Sequence, residues 1–240
     1  MALRTSMPAT RLALLRGFVL SHGDRILLLP RNAERLVAFL ALNKGALWRC
    51  YIAGSLWPET AEVNAAANLR TAVWRIQQVG GRVIDATRTR LRLAEVVAVD
   101  VCEARALAMA LDSGQDIQVG AEALELLDSE LLPDWYDDWL PPHRERWRQT
   151  RLHSLESLAL RMAHVGRFTV AVDAALAAVR AEPLRESANR CLIEVHLAEG
   201  NICEARRALD MHRKAIRADL GIEPSPQLIA LLADRGATKR

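Results

Sequence analysis

The residues of this chain best suited to chemistry are neither nucleophiles nor metal ligands. They are hydrogen-bonding side chains spaced along one stretch free of helix breakers, NAAANLRTAVWRIQQ, residues 64–78. At the helical period, Asn64, Asn68, Thr71, Arg75 and Gln78 fall on one side and Ala65, Leu69, Val73 and Ile76 on the other. The polar stripe holds no acidic residue. Asn, Gln, Arg and Thr carry donors and acceptors that match base edges in a DNA major groove. A solvated helix face explains the same stripe, so the pattern alone leaves both readings open.

Other chemistries find less support. Cys50, Cys102, Cys191 and Cys203 are scattered without a CxxC pair, and the six histidines form no HExxH, so no metal and no other cofactor is expected. No Ser, His and Asp or Cys and His arrangement can be assigned to one site, and Asp137 and Asp138 are merely adjacent in a loop; the chain reads as a non-enzyme. With 240 residues, 51% of them apolar and 25% charged, the composition is that of a soluble globular protein of one large or two ordinary domains. No run approaches a membrane span and MALRTSMPATR has no signal-peptide core, which predicts a cytoplasmic protein with no membrane partner. The net charge of +3 hides an asymmetry: residues 1–100 carry 14 Lys and Arg against 7 Asp and Glu, and the remainder 18 against 22. A basic first part on an acidic second part suits a domain that meets a polyanion.

The elements that must position the stripe follow from pattern and punctuation. After a disordered start over residues 1–10, RLALLRGFVL and RILLLP read as two β-runs joined by SHGD, a hairpin ended by Pro30. NAERLVAFLALNKG is an amphipathic helix closed by Gly45, LWRCYIAGSLW a second helix stopped by Pro58, and the striped segment a third closed by Gly80 and Gly81. RVIDA and RLRLAE then form a second hairpin. Hairpin, three helices, hairpin is the layout of a winged helix-turn-helix, in which the third helix enters the major groove. In the last hairpin Arg88, Arg90 and Arg92 alternate with Leu91 and Leu93, so the arginines share a face or tip that could reach phosphates or a minor groove. A charged edge strand that resists aggregation accounts for them equally.

From residue 101 the pattern is helical. AVDVCEARALAMALDSG opens the second domain and VGAEALELLDSELL adds a helix. Trp135, Tyr136 and Trp139 then form an aromatic cluster, read as the anchor of an interdomain loop in preference to a ligand cage. Pro141 and Pro142 suit the first turn of the long helix that follows. Gly166 and Gly200 lie 34 residues apart, as do Leu158 and Leu192, Phe168 and Ile202, and Ala171 and Ala205. That is the period of tetratricopeptide repeats, helix pairs that bury a core only by stacking. The first unit has the expected Ala178 and Pro183; the second departs with His212 and Arg217.

Taken together, RLALLRGFVL, LWP before ANLRTAVWRI, TRLRLAEVVAVDV, LLPDWYDDW with RERWRQTRLHSLESLA, and AEPLRESANRCLIEVHLAEGN ending in LGIEPSPQL resemble the SARP family of actinomycete antibiotic regulatory proteins over residues 11 to about 230. The resemblance implies a mainly α chain. An OmpR-type winged helix-turn-helix with β-hairpins would span residues 11–100. A bacterial transcriptional activator domain, all-α and tetratricopeptide-like, would span 101–240. It further implies a sequence-specific transcriptional regulator, usually an activator, that binds promoter direct repeats as a homodimer and contacts RNA polymerase. Asn68, Thr71 and Arg75 become the main base readers, Arg70 a flanking phosphate contact, and Arg88 and Arg90 the wing's contribution. The chain departs from the family at Gln77 and Gln78, where more basic residues are common, and at Pro141 and Pro142. It has no GxxxxGK[ST] segment and no receiver domain. The alternative is a tetratricopeptide-type interaction adaptor whose winged helix is a protein-docking surface.

Overall fold

The computed structural model describes residues 10–113 and 121–236. The expected disordered start, apart from Thr10, and residues 114 and 119–120 of two expected helices lie outside them. The chain divides into two compact units, the first drawn from Met1–Ala104 and Ser129–Arg146, the second from Arg105–Asp128 and Trp147–Arg240. In this division the segment Ser129–Arg146 groups with the N-terminal elements.

The first unit begins with β1 (Thr10–Ala13), β2 (Val19–His22) and β3 (Arg25–Ile26). RLALLRGFVL is thus two strands, not one. The chain reverses between them, with Arg16 at φ 69° and Gly17 at φ 148°. Residues 14–16, between the two strands, pair elsewhere. Arg16 N–H donates to the Glu130 carbonyl at 2.8 Å and Leu132 N–H to the Leu14 carbonyl at 2.9 Å, around a Leu15–Leu131 bridge. The helices α1 (Arg31–Leu42), α2 (Arg49–Leu56) and α3 (Glu62–Gln78) follow, with the two-residue strand β4 (Leu47–Trp48) before α2. α3 packs on α1 and α2. It buries Ala65, Leu69, Val73 and Ile76, as its period predicts, and Ala72 besides. Gly80 and Gly81, at φ 85° and 74°, end it where a side chain would be strained.

β5 (Ile84–Ala86) and β6 (Arg90–Leu93) form the second hairpin, and β4 joins it to give the order β4-β6-β5. β7 (Val97–Val99) lies where the sequence predicts the start of a helix. Its alternating Val97 and Val99 are buried and it pairs parallel with β1, giving a four-stranded sheet in the order β3-β2-β1-β7. α4 (Asp100–Asp112) then starts on Asp100, whose carboxylate accepts from the N–H groups of Leu14 and Leu15 at 2.9 Å and of Val101 at 2.6 Å. Burial pushes the Asp100 pKa up, and these backbone donors pull it back.

Within the segment Ser129–Arg146 the aromatic residues act as the predicted anchor, with one exception. Trp135 is buried, stacks on Phe18 at 5.8 Å and lies under the Arg31 guanidinium at 3.7 Å, while Trp139 meets Phe39 edge-on at 5.2 Å. Tyr136 is 89% exposed and takes no part. Asp137 is held by Arg35, which also donates to the Leu56 carbonyl at 2.7 Å and so ties α1, α2 and this segment together. The sharp path of the segment is stabilised by Arg144, whose guanidinium donates to the carbonyls of Leu131, Leu132, Pro133 and Trp135.

The second unit includes α5 (Ala121–Leu127), shorter than its sequence pattern, and the part of α6 (Pro141–His164) from Trp147 on; the α6 prolines do occupy its first turn. α7 (Phe168–Ala181), α8 (Glu186–Glu199), α9 (Ile202–Leu220) and α10 (Pro226–Gly236) complete it. α7 packs on α8 and α8 on α9, with α10 against both α8 and α9. Gly166 and Gly200, at φ 75° and 86°, turn equivalent corners. Ala171 and Ala205 are both fully buried. The second repeat's departure has a structural consequence: with Arg217 in place of a proline, α9 runs 19 residues to Gly221, whereas α7 ends after 14, ahead of Pro183. His212 takes the buried place of Ala178. No helix among the described residues is long and apolar enough to cross a membrane.

Candidate nucleic-acid interface

α3 owes its exposed face to its burial pattern: its apolar residues seat it against α1 and α2, and the opposite side is left open. Asn64, Arg70, Thr71, Arg75 and Gln78 are exposed there and Asn68 is half-buried. The Thr71 hydroxyl donates to the Ala67 carbonyl at 3.1 Å, which uses its donor and leaves its oxygen able to accept. The stripe is flanked by Val63, 78% exposed, and by Trp74, 51% exposed with the Arg75 guanidinium 4.9 Å from its ring.

The wing hairpin is held beside the N-terminal end of α2. Arg49 N–H donates to the Thr89 carbonyl at 2.9 Å and Arg49 Nε to the Thr87 carbonyl at 3.1 Å. Thr87 closes the hairpin through its own N–H and hydroxyl on Arg90. Arg88 and Arg90 project exposed from this turn, and the Arg90 guanidinium lies 4.2 Å from the centre of the half-exposed Trp48 ring. Arg92 is different. It is paired with Asp85 at 2.9 Å and with Glu95 at 2.8 Å. Asp85 also accepts from Arg82, and that hydrogen bond, more than the others, holds its carboxyl below the usual carboxylate range. Arg70, Arg75, Arg88 and Arg90 have no such acidic partner among the described residues.

The geometry therefore brings two groups of sequence-predicted residues to exposed positions on one unit, a polar helix face and a basic turn, and withdraws Arg92 into an ion-pair network. Sequence reasoning passed over Trp48, Arg49 and Trp74. Trp74 was legible as a large apolar residue outside the buried stripe of its own helix. Trp48 and Arg49 become visible only once β4 pairs with β6 and sets the start of α2 against the wing. Among the described residues no group of His, Cys, Asp or Glu is arranged to hold a metal ion.

Residues 94–234 match the bacterial transcriptional activator domain. The chain belongs to this family. Its architecture is of the SARP type expected from the sequence. It is similar to the regulatory protein AfsR of Streptomyces griseus, with 29% identity over 94% of the chain. It also shares its fold with the structure titled Mycobacterium tuberculosis EmbR in complex with low affinity phosphopeptide, with a TM-score of 0.65 at 20% identity over 94% of this chain. The chain spans 25% of the length of AfsR and 64% of the EmbR chain. The family match begins at Ala94, so α3 and the wing lie ahead of it.

Proposed function

We propose that this chain is a sequence-specific DNA-binding transcriptional regulator in which α3 reads base edges in the major groove. Asn68, Thr71 and Arg75 are the central readers, with Asn64 and Gln78 at the ends of the stripe and Arg70 on a flanking phosphate. Arg88 and Arg90 contact the backbone or the adjacent minor groove, and Arg92 steadies the wing through Asp85. The observation that carries this reading is the exposed α3 face, which is free of carboxylates and carries Arg75, together with Arg70 on its flank and Arg88 and Arg90 exposed on the wing of the same unit, all four without an acidic partner among the described residues. Phosphate contacts by such arginines set register and affinity, and the amide, hydroxyl and guanidinium groups of the stripe discriminate bases. Family membership supports activation from promoter direct repeats by a homodimer in contact with RNA polymerase.

A mobility-shift titration of the purified chain against its own upstream and neighbouring intergenic DNA, at two salt concentrations, tests this reading. Tight, salt-sensitive binding to particular fragments is expected, with a footprint over paired repeats and two chains per site. Binding no tighter than to random DNA at both salt concentrations overturns it and favours the adaptor reading.

A further inference from the structure

Between α2, α3 and the wing turn, the first unit contains a cavity of about 560 Å³. Its wall is apolar where Ala53, Trp57, Ala65 and Leu69 face it, all of them buried. Its border is cationic, formed by Arg49, Arg70 and Arg88, against a single carboxylate, Glu62. Arg49 is fixed there by its bond to the Thr87 carbonyl, and Arg70 and Arg88 have no acidic partner among the described residues. A concave space of this size, apolar inside and carrying a few converging polar groups, has the form of a small-molecule site.

We propose that this cavity binds a small amphipathic organic anion, an apolar ring system bearing a carboxylate, sulfonate or phosphate, with its body against Trp57 and Leu69 and its charge on the three guanidinium groups. Occupancy opposes DNA binding, because Arg70 and Arg88 serve both anions; this second clause rests on the DNA-binding reading, and the first does not. Gly54 lines the same cavity from within α2, and a Cβ added there meets nothing within 4 Å. The glycine at this position is therefore not a packing requirement, and a larger side chain there would reach into the open space of the cavity.

The test uses 8-anilino-1-naphthalenesulfonate as probe and the full chain without DNA. Cys50 lines the cavity and is exposed, while Cys102 and Cys203 are exposed and do not line it. Alkylation by iodoacetamide is followed at each cysteine by peptide mass spectrometry as the probe is titrated. Saturable slowing is expected at Cys50 alone. Arg49→Ala should raise the half-maximal probe concentration about tenfold, the loss of one charge-assisted hydrogen bond, and Gly54→Leu, which fills the space, should abolish the protection. Fluorescence enhancement without protection of Cys50, equal slowing at all three cysteines, or full protection in the Gly54→Leu chain overturns the site. Release of bound promoter DNA by the probe is expected over the same concentration range. Cys50 protection with no DNA release overturns the competition, and a chain that binds no DNA overturns the proposed function while the Cys50 result still decides the cavity.

Discussion

Arg75 and Arg88 carry the same charge but occupy different ground, one in the α3 stripe and the other at the wing turn. Arg75→Ala should weaken specific binding by about 1–3 kcal/mol and relax preference at one base pair, as expected for a bidentate base contact. Selection from random DNA checks this, and an unchanged preference would remove its assigned role. Arg88→Ala should weaken binding to all sequences alike and flatten the dependence of affinity on salt; equal slopes for variant and parent would count against a phosphate contact. Away from the interface the most exacting residue is Asp100. Asp100→Ala leaves the N–H groups of Leu14 and Leu15 without their acceptor in a buried setting, at a cost of about 2–4 kcal/mol. Urea denaturation measures it, and no loss of stability would show that those donors find other partners.

At the scale of elements, α3 was legible in the sequence because its buried and exposed residues alternate at the helical period, a property the helix carries within itself. The break that divides the run RLALLRGFVL into β1 and β2 was not, nor was β7, because a strand of three or four residues is defined by its partner. The apolar run at 12–15 is shared between β2 and the segment around Leu131, and nothing local announces that division. α2 offers a direct test of element stability. Gly54 is interior to the helix and open at its Cβ position, so Gly54→Ala should stabilise the chain by about 0.5–1 kcal/mol. Thermal unfolding reads this as a raised Tm, and a lowered one would mean that the added methyl meets an unseen obstacle.

For the molecule as a whole, the two units differ in what can destabilise them. The second carries His212 buried where the first repeat has Ala178, and burial, opposed by the charge of Glu186, lowers its pKa from the ordinary 6.5. The unfolded chain therefore binds a proton that the folded chain resists, and stability is fully present above about pH 6.5 and lost as pH falls towards the folded value. The fall in Tm between about pH 7.5 and pH 5.5 should be smaller in His212→Ala than in the parent. Equal falls would place the acid sensitivity elsewhere. Cys191, a second buried group of this unit, is pushed up to about 12 by burial and stays a thiol throughout that range.

The sequence by itself determined the faces of α3, the order of hairpins and helices, the 34-residue repeat and the basic wing, because each is written in spacings of a few residues or in exact recurrence. Tertiary structure alone decided that Ser129–Arg146 returns to the first unit, that Asp100 satisfies a turn 85 residues away, and that Arg92 pairs with Asp85 while Arg90 lies over Trp48. It also decided that a cavity opens between α2 and the wing. These outcomes depend on which distant groups meet, and the cost of leaving a buried donor or charge unpaired selects among those meetings only after the chain has closed on itself.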